Sequence, residues 1–346
     1  MRQLATVQKI SEVCPIENAD AIEKVRVLDW WCVAKKGEFS AGDDCVYFEI
    51  DSLLPASHPA FAFLAARSHE VSVATDTGEA RGYRLRTIRL RGQISQGLAL
   101  PLQTFALNAA VGEDLSEALG VHKWEPPIPA NMAAAARAPF PYFIPKTDEE
   151  RVQNIGDVVR RHAGEPFHVT EKLDGCSVTF YRTADRFGVC GRNWDLLDGD
   201  NLYWNMARIA QVEANLPVGY AIQGELIGEH IQGNPLKLKG QRLFCFNVFS
   251  FSSNADSRYL NHDDAVAFCE RLGLSWVPVV HRGYTLPHLD IAELIEMADG
   301  KSALNQNADR EGLVFRPLVE AREEMRGGMC RLSFKAISNR YLLKGD

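Results

Sequence analysis

The chain has 346 residues, 46% of them hydrophobic and 24% charged, with a formal net charge of −7. That length accommodates two domains of globular composition, and the lack of any apolar run near ~20 residues excludes a helical membrane span. The acidic balance argues against a uniformly basic nucleic-acid binder, while leaving room for a local basic groove.

The first residues, MRQLATVQKISEV, lack the charged-then-apolar pattern of a signal peptide. The eight cysteines are scattered without a C-x-x-C pair, which argues against a zinc site or a disulfide framework and for reduced core thiols. A soluble, cytoplasmic protein is expected.

Residues 1–120 read as a β-rich module. KVRVLDWWCVAKKGEF, DDCVYFEIDSLLP and YRLRTIRLRGQISQGLALPL are β-branched and aromatic runs bounded by Gly and Asp turns. Several short strands with glycine punctuation suggest a small β-barrel, of which the OB-fold is one candidate. Its RGYRLRTIRLRG segment places Arg84 and Arg86 on one strand face and Arg89 and Arg91 on the other, unless a bulge intervenes. These arginines are either solvated strand edges or a phosphate-contacting surface.

Residues 121–145 are rich in proline and alanine and read as a linker. Residues 146–346 form the second domain. Thr147 and Glu150 fit a capping box, and Val152, Ile155 and Val159 fall at helical spacing, so a helix is predicted before Gly164 and Pro166. HVTEKLDGCSVTFY comes after it, with a turn between two strand-like runs. Next come FGVCGRN (strand and turn), NLYWNMARIAQVEANLP (helix), and YAIQGELIG and RLFCFNVFSF (strands). HDDAVAFCERLGL (helix), WVPVVH (strand), DIAELIEMADG (helix), and EGLVFRPL and RLSFKAIS (strands) complete the chain. The predicted class is α+β: an OB-like barrel, then a mixed α/β domain with antiparallel sheets.

Lys172, Asp174 and Gly175 sit in that turn. A neutral amine at the end of a buried strand is a good nucleophile, toward phosphorus as well as carbon. The glycine would allow close approach of a ligand. K-x-D-G alone is a weak signal, but an ordered series of motifs downstream strengthens it. GRN lies at 191–193, QGELIGEHIQGNP at 223–235, FCFNVF at 244–249, EGLVFR at 311–316 and SFKAIS at 333–338.

With these motifs the chain resembles the covalent nucleotidyltransferase superfamily of polynucleotide ligases and capping enzymes. Only eleven residues come after Lys335, too few for the trailing OB module of DNA ligases and capping enzymes. The leading module is similar to the arrangement of the ATP-dependent RNA ligases with an N-terminal OB module and a minimal C-terminal nucleotidyltransferase domain.

The resemblance implies a lysyl-AMP intermediate on Lys172 and the sealing of 3′-OH/5′-phosphate breaks, at nicks in duplex RNA or RNA/DNA, in RNA repair. ATP and Mg²⁺ or Mn²⁺ would be needed, and the enzyme would act as a monomer. Asp174 caps the turn or serves as a ribose or metal-water partner. Together with Glu225 and Glu311 it would hold the metal; Glu225 also lies near the ribose. Lys335 is implied to contact the α-phosphate and keep Lys172 deprotonated. Glu171 is included among the nucleotide-binding residues. Arg192 reaches the ribose or the 3′-OH strand, and Arg151 the β/γ-phosphates unless it is plain helix surface. Phe246 stacks on adenine unless it and Phe244 are core. The fifth motif departs from its usual K-x-K: Ser333 takes the first lysine's place, and Arg331 is the nearest cation that could replace it. Arg84, Arg86, Lys35 and Lys36 are expected on nucleic-acid phosphates. A GTP-dependent guanylyltransferase and a non-catalytic nucleic-acid binder are the alternatives.

Overall fold

A computed structural model describes residues 3–75, 78–125, 135–251, 258–287, 290–326 and 328–344. The middle of the predicted linker, 126–134, lies outside the described residues. The chain divides into two compact units, Met1–Ile128 with Gln153–Gly156, and Pro129–Val152 with Asp157–Asp346.

The first unit is built from short antiparallel strands, as its β-branched runs require. Its five-stranded sheet runs in the order Leu98–Pro101, Asp44–Phe48, Ala5–Pro15, Ile22–Val27, Trp30–Lys35. Ala5–Pro15 is long enough to pair with different neighbours along its length, and a bulge between Ile10 and Glu12 breaks its register. Two clusters fill the interior, one around Phe48, Leu54 and Phe61, the other around Val25, Trp30 and Tyr47. Gln153–Gly156 completes this unit through buried bonds. The Trp30 indole N–H donates to Asn154 at 2.6 Å, and the Asn154 amide donates to Glu49 at 3.0 Å.

The second unit carries two larger sheets. The seven-stranded sheet is antiparallel, in the order Ala136–Pro139, Trp194–Leu196, Phe187–Cys190, Cys176–Arg182, Tyr220–Gly228, Gln241–Ser250, Arg258–Tyr259. Alternation sends Val178, Phe180, Ile222 and Leu226 to one face, where they bury against the helices Leu202–Ile209 and His262–Arg271. Asn201 caps the first of these helices, accepting from Tyr203 and Trp204 N–H at 3.1 Å. The predicted single helix over this segment breaks at Gln211, which is left-handed at φ 53°, and resumes as Val212–Asn215.

The five-stranded sheet runs Glu150–Arg151, Phe334–Ile337, Gly312–Pro317, Pro166–Lys172, Val279–Thr285, antiparallel except for its first pair. One of its faces is aromatic, with Phe315 stacked on Phe334 at 5.1 Å between ring centroids. The opposite face is polar and carries the site.

The helix predicted from Thr147 is shorter than its pattern. Glu150–Arg151 is a strand, Val152–Asn154 a 3₁₀ turn, and the helix occupies Gly156–Arg161. The Thr147 hydroxyl pairs with that of Ser177 at 3.2 Å instead of capping. Pairing with Phe334–Lys335, far away in sequence, overrides the local helical period.

Candidate functional site

Lys172 ends the strand Pro166–Lys172, and Gly312 stands opposite it. That register brings Glu311 alongside, and the Lys172 Nζ donates to both Glu311 carboxylate oxygens at 2.7 Å. Two further carboxylates face the amine. The Gly175 N–H donates to Glu225 at 3.1 Å, and the Tyr341 hydroxyl donates to Asp174.

Burial works to lower the Lys172 pKa, but Glu311, Glu225 and Asp174 outweigh it and hold the amine above the ordinary lysine value. The three carboxylates thus favour the charged form of Lys172 in the site as it stands, whereas the sequence reading expected a neutral amine. Lys335 stands two strands away, across Val314 from Thr170. Burial, then Glu311 and Asp174, push Glu225 up to about 8 against the pull of Lys172. Burial and Glu311 also raise Asp174. A hard divalent cation fits such an oxygen-rich site with surplus negative charge. Among the described residues no three His, Cys, Asp or Glu side chains form a ready metal cage; Glu311 is turned to Lys172, Glu225 to Gly175 and Asp174 to Tyr341.

Gly175 is needed for a reason within the fold itself. A Cβ there would sit 2.1 Å from the Leu226 carbonyl oxygen, so the turn and the strand of Glu225 can close only over glycine. Gly175→Ala should cost about 1–3 kcal/mol as overpacking, read as a lower Tm. An unchanged Tm would show that the strand moves aside freely.

Alternation places Thr170, Val314, Arg316, Ser333 and Lys335 on the face of Lys172, and parallel pairing sets Arg151 beside Lys335. Phe246 is half-buried at the bulge between Gln223 and Gly224, whereas Phe244 is buried with Leu173, Ile227 and Val277. Glu171 takes the opposite face, because it is one residue from Lys172 on a strand. It is 2% exposed and accepts from the Ala303 N–H at 2.8 Å.

Sequence reasoning missed Arg316. Its guanidinium, 3% exposed, donates to Ser333 at 3.2 Å, to the Phe246 carbonyl at 2.9 Å and to Glu149 at 2.7 Å. Burial alone would raise Glu149, but Arg316 and Arg331 hold it below the usual carboxylate range. The available signal was spacing: Arg316 shares a strand face with Val314, and that strand starts directly after Glu311. Arg331 is engaged elsewhere. It pairs with Glu320, donates to Asn247 at 2.8 Å and lies over Tyr259 at 3.7 Å from the ring centroid. The cation bonded to Ser333 is thus Arg316, not Arg331.

Arg192 sits on the exposed turn after Phe187–Cys190 and pairs with Asp148 at 2.9 Å. In the first unit Lys35, Lys36 and Arg86 are exposed. Arg84 is half-buried, paired with Asp51 at 2.8 Å and stacked on Trp124 at 3.7 Å.

Comparison with known proteins matches an OB-fold domain model over residues 4–102 and an RNA ligase family model over residues 165–337. No curated protein matches the chain. Solved structures do. An apo mutant of Naegleria gruberi RNA ligase is 42% identical with a TM-score of 0.86, covering 99% of this chain and 97% of that one. Another mutant of that ligase, with ATP and Mn, is 41% identical with a TM-score of 0.87, covering 99% and 100%. A third, with AMP and Mn, is 41% identical with a TM-score of 0.86 and covers 100% of both chains.

Proposed function

The chain belongs to the RNA ligase family and is an ATP-dependent RNA ligase, and we propose that it seals 3′-OH/5′-phosphate nicks in duplex nucleic acid during RNA repair. The observation that carries the chemistry is the Lys172–Glu311 contact within the Asp174 and Glu225 carboxylates. The family sets aside the guanylyltransferase and non-catalytic readings.

In the first step the Lys172 Nζ, once it has given its proton to solvent, attacks the α-phosphorus of ATP in line, forming a P–N bond as pyrophosphate leaves. AMP then passes to the 5′-phosphate of a strand. Last, a 3′-OH attacks that activated phosphate, and AMP is released. Positioning and charge neutralisation do most of the work at phosphorus.

We assign Asp174, Glu225 and Glu311 to hold Mg²⁺ or Mn²⁺, which when bound neutralises charge at the phosphates. Engaging those carboxylates also withdraws from Lys172 the charges that keep it protonated. Lys335 and Arg151, side by side, suit the phosphates. Phe246, half-buried at its bulge, suits a face of adenine. Arg316 holds the Phe246 backbone in place.

The exposed Lys35, Lys36 and Arg86 support duplex contact by the first unit; Arg84 is better read as a brace for Asp51 and Trp124. All eight cysteines are free thiols, which suits a reducing, intracellular setting. Among the described residues no helix is long and apolar enough to cross a membrane. One chain carries the whole catalytic set, so a monomer suffices.

Sealing assays on nicked duplexes with RNA or DNA on either side of the break test this reading. Nicks ending in an RNA 3′-OH should be sealed with ATP and Mn²⁺, and Lys35→Ala with Lys36→Ala should weaken duplex binding while sparing adduct formation. Point substitutions are preferable to deleting the first unit, because Asn154 would lose its Trp30 and Glu49 partners. Equal sealing of unpaired single strands would count against nick specificity.

A further inference from the structure

One segment of the second unit has no part in the chemistry above. Phe140–Asp148 runs as a strap beside the seven-stranded sheet, braced by Pro139, Pro141 and Pro145. It is anchored at three points. Phe143 packs on Tyr181 and Phe251 at 5.8 and 5.1 Å between ring centroids. The buried Gln223 amide donates to the Pro145 carbonyl at 2.8 Å, and Thr147 pairs with Ser177, which stands opposite Glu225 in the sheet. The strap then continues into Arg151, beside Lys335.

What this rigid strap displays is unusual for a water-facing surface. Tyr142 is 98% exposed, an aromatic ring held out into solvent and set edge-on to Phe143 at 5.6 Å between ring centroids. Trp194, 38% exposed, stands in register with Pro139 at the strap's start. On the strap and the adjoining strands lie Lys146, bonded to Asn193 at 3.0 Å, Arg192, paired with Asp148, and the exposed Arg137. These positive groups belong to a chain of net charge −7. Exposed aromatic rings and cations on a backbone anchored at three points match unpaired nucleotides, whose bases stack while their phosphates are neutralised. A protein partner would instead favour an apolar surface that excludes water.

We propose that the Phe140–Asp148 strap, with Trp194, binds an unpaired stretch of the polynucleotide beside the break. The inference rests on the ligase reading and deepens it: the preferred nick has a single-stranded flank. Tyr142 and Trp194 stack on bases, and Lys146 and Arg137 contact phosphates. The track leads along the strap toward Arg151 and Lys335, so it would guide one strand end to the adenylylated lysine.

The test compares two nicked RNA duplexes, one fully paired and one with about six unpaired nucleotides at the break, a length within the usual single-strand site size. Fluorescence anisotropy with the full-length protein should show roughly tenfold tighter binding of the flanked duplex, the scale of one base stacked on an aromatic ring. Tyr142→Ala with Trp194→Ala should erase that preference, and Tyr142→Phe should keep it. Lys146→Ala should flatten the dependence of log K on log salt by about 0.7, as expected for one single-strand phosphate. Adduct formation from labelled ATP should be unchanged in all of these variants. Equal affinity of the wild type for both duplexes, or a preference that survives the double substitution, would overturn the proposal and leave the strap to a protein partner. A protein that forms no adduct at all would instead sink the ligase reading, a separate outcome.

Discussion

Lys172→Ala should give no protein–AMP band with labelled ATP and Mn²⁺, and sealing of 5′-phosphate strands should fall on the order of 10³-fold or more, as when a covalent nucleophile is removed. Lys172→Arg should fail equally, because a guanidinium stays protonated and is a poor nucleophile. The loss should not come from unfolding. The Lys172 side chain is partly exposed, at 27%, and its main contact is an ion pair with Glu311 rather than core packing, so the stability change should stay within about 3 kcal/mol, read as Tm beside the adduct assay. A strand supplied already adenylylated separates the two explanations. Its last step, attack by the 3′-OH, forms no bond to Lys172, so the alanine variant should still seal it measurably. A labelled adduct at wild-type level in Lys172→Ala would remove Lys172 from the nucleophile's role.

The motifs to which this chemistry is assigned were legible because they are local. K-x-D-G, the strand of Glu225 and the E-G pair ahead of Gly312–Pro317 each depend on a few neighbouring residues, and the strand Tyr220–Gly228 was read with its ends in place. What stayed hidden depends on pairing between distant segments. The Thr147 capping pattern lost to the pairing of Arg151 with Lys335. Arg84 looked like a phosphate contact because neither Asp51 nor Trp124 is near it in sequence. The charge state of Lys172 is the clearest case. Its spacing suggested a nucleophile, but its protonation depends on three carboxylates from three parts of the chain, gathered by two sheets. Arg316 escaped notice for the same reason, since Glu149, Ser333 and Phe246 reach it from three other segments.

Glu311→Gln sets two effects of opposite sign against each other. Losing the carboxylate removes the ion pair that does most to keep Lys172 charged. The lysine pKa should fall toward its ordinary value, and each unit of that fall gives up to about tenfold more neutral amine at a fixed pH below it. Against this stands the loss of one carboxylate from the proposed metal site. Removing a group that stabilises transition-state charge in a buried site costs on the order of 10²–10³ in rate. The second effect is the larger, so adduct formation at saturating ATP and metal should drop on the order of 10²-fold near neutral pH. The pH profile separates the two. At limiting metal, where Glu311 still faces the lysine, adduct formation in the wild type should rise with pH as Lys172 loses its proton, and in Glu311→Gln the rise should come at lower pH even though the plateau is lower. A higher concentration of Mn²⁺ should recover part of the plateau and bring the two rises closer together. If Glu311→Gln instead reached the wild-type plateau with the earlier rise, Glu311 would be a counter-ion for the resting lysine and nothing more. The metal would then have to rest on Asp174 and Glu225 alone.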